Sequence, residues 1–180
     1  LDGTSNYVSL PPMGMGPSVT LEAWFFVTQV VDDGALFDFG GGFVHPRLYV
    51  ALGSASAGNA AQMLAGVDNS PAGGQAATLA TPDVFPQSRW VHVAVVFDGA
   101  HTSTYWDGKL KIEGETAAPV AYTRPEAFVG RSTQFGAYLP ALIDDLRVWG
   151  VARSRTAINA ALFVAPATLT GALAVYGFDD

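Results

Sequence analysis

One segment constrains the fold more than any other. Val91, Val93, Val95 and Phe97 alternate with Trp90, His92, Ala94 and Val96, and Asp98-Gly99 closes the run. A period of two is the spacing of side chains along one face of a β-strand. Both faces are largely apolar, so this strand is expected between two packed layers. Ser103–Trp106 and Lys109–Glu113 follow, separated only by Asp107-Gly108. Two β-runs joined by Asp-Gly form a strong hairpin signal, because a type I′ turn needs positive φ at both central residues.

The same alternation recurs at Leu21, Ala23, Phe25 and Val27, with Thr20, Glu22, Trp24 and Phe26 on the opposite face. Further strands are predicted over Asn6–Leu10, Ala35–Phe39, Arg47–Leu52, Ala61–Val67, Ala76–Ala80, Ala127–Val129, Leu139–Trp149 and Leu173–Phe178. One short helix is predicted over Arg155–Phe163, capped by Ser154, with Ile158, Ala161 and Leu162 on one face. Glycine and proline together supply 31 of the 180 residues, 20 and 11 respectively. That share suits many tight turns and argues against a helical bundle. Loops are expected at Gly40-Gly41-Gly42, Ser54–Gly58 and Ser70–Gly74. With no internal repeat and no linker, the chain reads as one domain over residues 1–180.

Charge and cysteine content remove several function classes. Nine basic residues, scattered singly, stand against 16 acidic ones, for a net charge of −7. Nucleic acid is not an expected partner, because phosphate neutralisation needs clustered Lys and Arg. No apolar run approaches the roughly 20 residues of a membrane-spanning helix. Cysteine is absent, so disulfides, thiolate nucleophiles and Cys-ligated zinc are excluded together. The chain begins with Leu1, which suggests a domain excised from a larger, secreted or cell-surface protein.

Four blocks of the sequence, in order, resemble one family. Trp90–Gly99 followed by Tyr105-Trp106-Asp107-Gly108-Lys109 resembles the central hairpin of laminin G-like and pentraxin-like domains, members of the concanavalin A-like lectin/glucanase superfamily. Leu1–Val8 resembles the family's opening segment, and Ser18–Trp24 its early long strand. Ile143–Trp149, followed by Val151-Ala152-Arg153-Ser154, resembles its strand-to-helix ending. The resemblance implies an all-β, two-sheet antiparallel jelly-roll sandwich with one short helix near the C-terminus, and neighbouring first and last strands. Fold alone does not assign function.

Catalysis is not expected. Glycosidases place two carboxylates about the scissile bond, and the Glu-x-Asp-x-x-Glu strand used in this superfamily is missing. Glu22, Glu113, Glu115 and Glu126 are the only glutamates, and they read as solvated surface. No Gly-x-Ser-x-Gly elbow is present. His92, beside Trp90 on a sheet face, reads as packed structure rather than a metal ligand or catalyst. His45 and His101 read as loop residues.

Calcium is the expected cofactor. It takes six to eight oxygens, and 12 Asp occur against 4 Glu. The family resemblance implies a structural ion at Asp2 and Asp144, near the opening segment. It also implies a ligand-bridging ion near Asp32-Asp33, although Arg131-Ser132-Thr133-Gln134 lacks the acid that pentraxins supply there. Sugar recognition needs an aromatic surface beside hydroxyl-directed amides and carboxylates. The candidate ligand-binding residues are Asp32, Asp33, Asp68, Asn69, Arg131, Gln134, Phe135 and Tyr138. The expected function is a non-catalytic, lectin-like recognition module for glycans in an extracellular or cell-surface protein. The alternatives are a protein-binding or structural adhesion domain and, last, a diverged polysaccharide hydrolase or lyase.

Overall fold

The computed structural model describes residues 1–40, 46–69, 77–165 and 168–178. Two six-stranded antiparallel sheets pack face to face as a jelly-roll sandwich. The first sheet runs β1 (Val8–Leu10), β12 (Glu126–Val129), β4 (Ala35–Gly40), β5 (Arg47–Leu52), β6 (Gln62–Asp68), β7 (Ala77–Val84). The second runs β10 (Lys109–Glu115), β9 (His101–Trp106), β8 (Trp90–Asp98), β3 (Ser18–Val27), β13 (Ala141–Trp149), β14 (Ala174–Tyr176).

The period-two residues build the interior. Leu21, Phe25 and Val27 of β3 and Val91, Val93, Val95 and Phe97 of β8 are fully buried, and they share one core with Phe37, Phe39, Leu48, Val50 and Leu52 of the first sheet. Phe25 and Phe37 meet edge to face across the sandwich, centroids 5.4 Å apart. Such a pair adds about 0.5–1.5 kcal/mol beyond its burial.

The predicted hairpin forms in register: Trp106 pairs with Lys109, and Asp107 and Gly108 both have positive φ, 49° and 69°. Helix α1 (Arg155–Ala161) starts where Ser154 was expected to cap it, the hydroxyl accepting from Ala157 N at 3.2 Å. The second apolar face of β8 is covered by this helix, with Ile158 packing against Ala94, Val96 and Tyr105.

Three details differ from the sequence reading. Strands β2 (Met13–Met15) and β11 (Tyr122–Arg124) pair into a separate two-stranded sheet, and three residues are too few to show a period. The first and last strands are not neighbours, since β1 pairs with β12 and β14 with β13. The N-terminus joins the second sheet by other means, the Leu1 ammonium donating to Ala141 O at 2.7 Å. His101 opens β9 instead of sitting in a loop. His45, Gly41-Gly42 and Ser70–Gly74 lie outside the described residues.

Candidate functional site

Alternation along β4, β5 and β6 decides which side chains leave the core. Phe37 and Phe39 point inward, so Asp38 points outward; Leu48, Val50 and Leu52 point inward, so Arg47, Tyr49 and Ala51 point outward. On β6 the same rule turns Leu64, Gly66 and Asp68 to the outer face. There the sheet carries a cleft of about 360 Å3, lined among others by Asp33, Arg47, Tyr49, Asp68, Gln134 and Phe135.

The cleft rests on a buried ion pair. Asp38 accepts from Arg47 Nε and Nη2, both at 2.8 Å, and both residues are almost wholly enclosed. Paired geometry of this kind is the strong form of the interaction. The second oxygen of Asp38 also accepts from Thr133 N at 2.7 Å and Thr133 Oγ1 at 3.1 Å. Arg47 Nη1 donates to Gln134 Oε1, and its guanidinium stacks 4.4 Å from the Tyr49 ring centre. One ion pair therefore anchors the loop between β12 and β13. Ser132 closes that loop, its hydroxyl accepting from Phe135 N at 3.2 Å. Phe135 is left 57% exposed at the rim.

Tyr49 reaches sideways across the sheet because its partner in register is Gly66. A Cβ at position 66 would lie 2.7 Å from the Tyr49 ring, so only glycine leaves room. The phenol then shares a 2.6 Å hydrogen bond with Thr78 of β7, and burial raises its pKa.

Of the eight predicted ligand residues, four line this cleft: Asp33, Asp68, Gln134 and Phe135. Asp33 sits at the end where Leu52 N donates to Gly34 O, while Asp68 pairs with Arg47 at the other end of β5. Desolvation, then the neighbouring Asp32, raises the Asp33 pKa. Asp32 accepts from Ala55 N at 3.3 Å and so braces the turn after β5. Asn69 donates to Ala118 O at 2.8 Å, tying two loops together. Arg131 and Tyr138 stand beside the cleft, in a cluster where the Arg131 guanidinium lies 4.8 Å from Tyr7, 4.9 Å from Phe128 and 5.8 Å from Tyr138. Asp38, Arg47 and Tyr49 were missed. Asp38 carried a signal: a charge at an outward position of the otherwise apolar run Ala-Leu-Phe-Asp-Phe.

The two expected metal ligands are placed apart from this cleft. Asp2 Oδ1 accepts from the backbone N–H groups of Thr4, Ser5 and Asn6 at 2.9–3.0 Å. These bonds, Ser5 first, hold its carboxyl well below the usual carboxylate range. Asp144 Oδ1 accepts from Asp145 N at 2.8 Å, at the bulge where β13 shifts register against β3. Among the described residues no three His, Asp or Glu side chains gather to hold a metal. Asp2 Oδ1 is thus engaged by its own turn.

The outer face of the second sheet carries its own buried polar group. Glu22 is wholly buried, not solvated as the sequence reading held. Its Oε1 accepts from Arg153 at 2.5 Å, and its Oε2 lies 3.5 Å from His92 Nε2. Arg153 also donates to Ala157 O at 2.9 Å, and Arg147 to Ala161 O at 2.8 Å, which fastens α1 over the group. Burial raises the Glu22 pKa, and burial followed by the Arg147 charge pushes His92 down to about 4. Beyond the helix, Trp24, Trp90, Asp144 and Asp145 line a second hollow of about 290 Å3.

The fold is a jelly roll with a cleft on one sheet face, and comparison with known proteins names the family. The family profile described as the concanavalin A-like lectin/glucanases superfamily, of the laminin G type, matches residues 2–159. The chain belongs to this family. It is similar in structure to a candidate carbohydrate-binding protein from Bacteroides ovatus, at 21% identity and a TM-score of 0.73, covering 97% of this chain and 50% of that one. The chain thus spans half the length of that relative. Domain 4 of an extracellular arabinanase from Geobacillus stearothermophilus, solved with arabinotriose, is 16% identical with a TM-score of 0.69, covering 89% and 73%. The carbohydrate-binding module of a Ruminococcus gnavus sialidase, bound to sialyllactose, is 14% identical with a TM-score of 0.59, covering 87% and 96%. At these identities the likeness is one of fold. A search of curated protein sequences returns no significant match.

Proposed function

We propose that the chain is a non-catalytic glycan-binding module of a larger extracellular protein, and that the cleft over β5 and β6 is its binding site. The observation that carries this reading is Phe135. It is exposed at the rim of a cleft whose remaining lining offers carboxylates, an amide and a phenol. A sugar ring presents apolar C–H faces and outward hydroxyls, and this lining meets both. The carbohydrate-binding relatives support the same reading.

One feature favours binding without turnover. Asp33 and Asp68 stand at opposite ends of β5, roughly 16 Å apart at the rise of a strand. Glycosidic hydrolysis needs its two carboxyl groups about 5–9.5 Å apart. Nor does the reading need calcium, since the cleft side chains are positioned by the Asp38–Arg47 pair. A glycan array run with calcium and again with chelator tests it: retention of one glycan class in both conditions is expected. Silence in both conditions contradicts glycan binding, and retention with calcium alone contradicts the metal-free account.

A protein-binding reading rests on the other face. Leu142, Phe26 and Trp90 stand side by side across β13, β3 and β8, and Trp90 is 40% exposed. This row suits a partner surface more than a sugar.

A further inference from the structure

We infer that the hollow beyond the helix, on the second sheet, receives a lysine side chain of a protein partner. This gives the partner surface of that face a chemistry, and it stands independently of the glycan reading of the cleft. The hollow holds about 290 Å3, and its described lining is two indoles and two carboxylates, Trp24, Trp90, Asp144 and Asp145. Consecutive strand residues ordinarily point to opposite faces. Here both carboxylates reach one hollow, because β13 shifts register against β3 between Asp144 and Arg147 and Asp145 takes a φ of 50°. Bulges re-aim side chains in this way beside functional sites.

The two carboxylates differ in how far their charge is answered from within. Asp145 is paired with Arg147, whose Nη2 donates to its Oδ2 at 3.0 Å. Asp144 Oδ1 accepts from backbone N–H groups, those of Asp145 at 2.8 Å and Phe178 at 3.5 Å, and among the described residues no basic side chain pairs with it. A negative charge is thus held beside two ring faces, and a cation is drawn to an indole face by the ring quadrupole. Trp24 is fixed there, its Nε1 donating to Leu162 O at 3.4 Å, and Trp90 is braced edge-on by Phe26. A sugar hydroxyl both donates and accepts, whereas an ammonium only donates, and carboxylates with ring faces suit the second. With Oδ1 engaged, Asp144 offers one oxygen, which favours the point charge of lysine over the two-pronged fork of arginine. The rim selects a protein as the source: Leu142 and Phe163 stand exposed beside the tryptophans, and grouped apolar residues of this kind mark interaction surfaces. A lysine stem lying along that rim would carry its ammonium to Asp144.

The test titrates Nα-acetyl-lysine methylamide, and its uncharged isostere Nα-acetyl-norleucine methylamide, into the full chain and follows the indole N–H NMR signals. The lysine probe is expected to move Trp24 and Trp90, to leave the buried Trp106 and Trp149 unmoved, and to bind about tenfold more tightly than the norleucine probe. Trp90→Ala should weaken the lysine probe by about tenfold, and Asp144→Asn severalfold, with the Trp106 and Trp149 signals showing that each variant is folded. Raised ionic strength should weaken it as well. A norleucine probe that binds as tightly as the lysine probe overturns the inference, since the hollow would then be an apolar contact only. Trp24 and Trp90 unmoved by either probe, or Asp144→Asn binding the lysine probe as wild type does, also overturns it. Choline bound more tightly than the lysine probe overturns the assignment to a protein partner. The glycan reading is judged by titration at the cleft, and none of these outcomes moves it.

Discussion

The two outer sheet faces are built from the same ingredients and end differently. Each buries a carboxylate against arginine, Asp38 with Arg47 on the first sheet and Glu22 with Arg153 on the second. On the second sheet the arginines donate onward to carbonyls of α1 and its continuation, so the part of the face around Glu22 is sealed by a helix. On the first, the ion pair holds only a short loop, and that loop leaves a cleft with Phe135 on its rim. A buried ion pair thus says little about function by itself. What it holds in place, and how much sheet stays open, separates a scaffold from a site.

The largest effects should come from breaking either pair. Removing one partner of a buried ion pair strands the other charge and costs about 3–5 kcal/mol. Arg47→Ala and Arg153→Ala are each expected to lower the unfolding free energy, read from denaturant melts, by an amount in that range. Below their unfolding transitions the two should part: Arg47→Ala loses glycan binding with its loop, whereas Arg153→Ala keeps it. Equal loss of binding in both would erase the distinction between the faces.

Acid should act on the sealed face next. His92 titrates at about 4 in the folded protein and near 6.5 unfolded. Between these values the unfolded chain binds more protons, so this residue's contribution to stability is present at neutral pH and is lost as pH falls from about 6.5 towards 4. In full that loss is on the order of 3 kcal/mol. Glu22, whose folded pKa is raised, works in the opposite direction above its unfolded value. The His92 share is therefore read as the difference between wild type and His92→Gln. The variant should show a shallower decline in stability over this window, and an identical decline would remove His92 as the acid-sensitive group.

How much of this was visible in the sequence follows from how local each cause is. The long central strands β3 and β8, the Asp107-Gly108 turn and the Ser154 cap depend on residues a few positions apart, and they formed where the pattern placed them. Half of the predicted ligand residues lie in the cleft because turn residues between recognisable strands gather at a sheet's ends. The Asp38–Arg47 pair was hidden because it needs the register of β4 on β5, in which Asp38 faces Tyr49 and Arg47 sits diagonally beyond. Glu22 was misread for a sharper reason: the helix that buries it arrives more than 130 residues later, with Arg153. Its own strand face carries Thr20 and Glu22 beside Trp24 and Phe26, and nothing within the strand shows that a later element covers it. Local patterns place elements; coverage by distant ones decides which polar residues are structure and which are surface.

Calorimetric titration of one array-positive glycan into wild type, Phe135→Ala and Trp90→Ala tests the central claim most directly. Phe135 and Trp90 are exposed aromatics at the hollows of opposite faces, and removal of either should leave the core intact. The account predicts that Phe135→Ala weakens binding by about tenfold, the scale of a single well-placed interface aromatic, while Trp90→Ala binds as wild type does. Loss of binding in Trp90→Ala, with Phe135→Ala unaffected, would place the site on the other sheet and contradict the account.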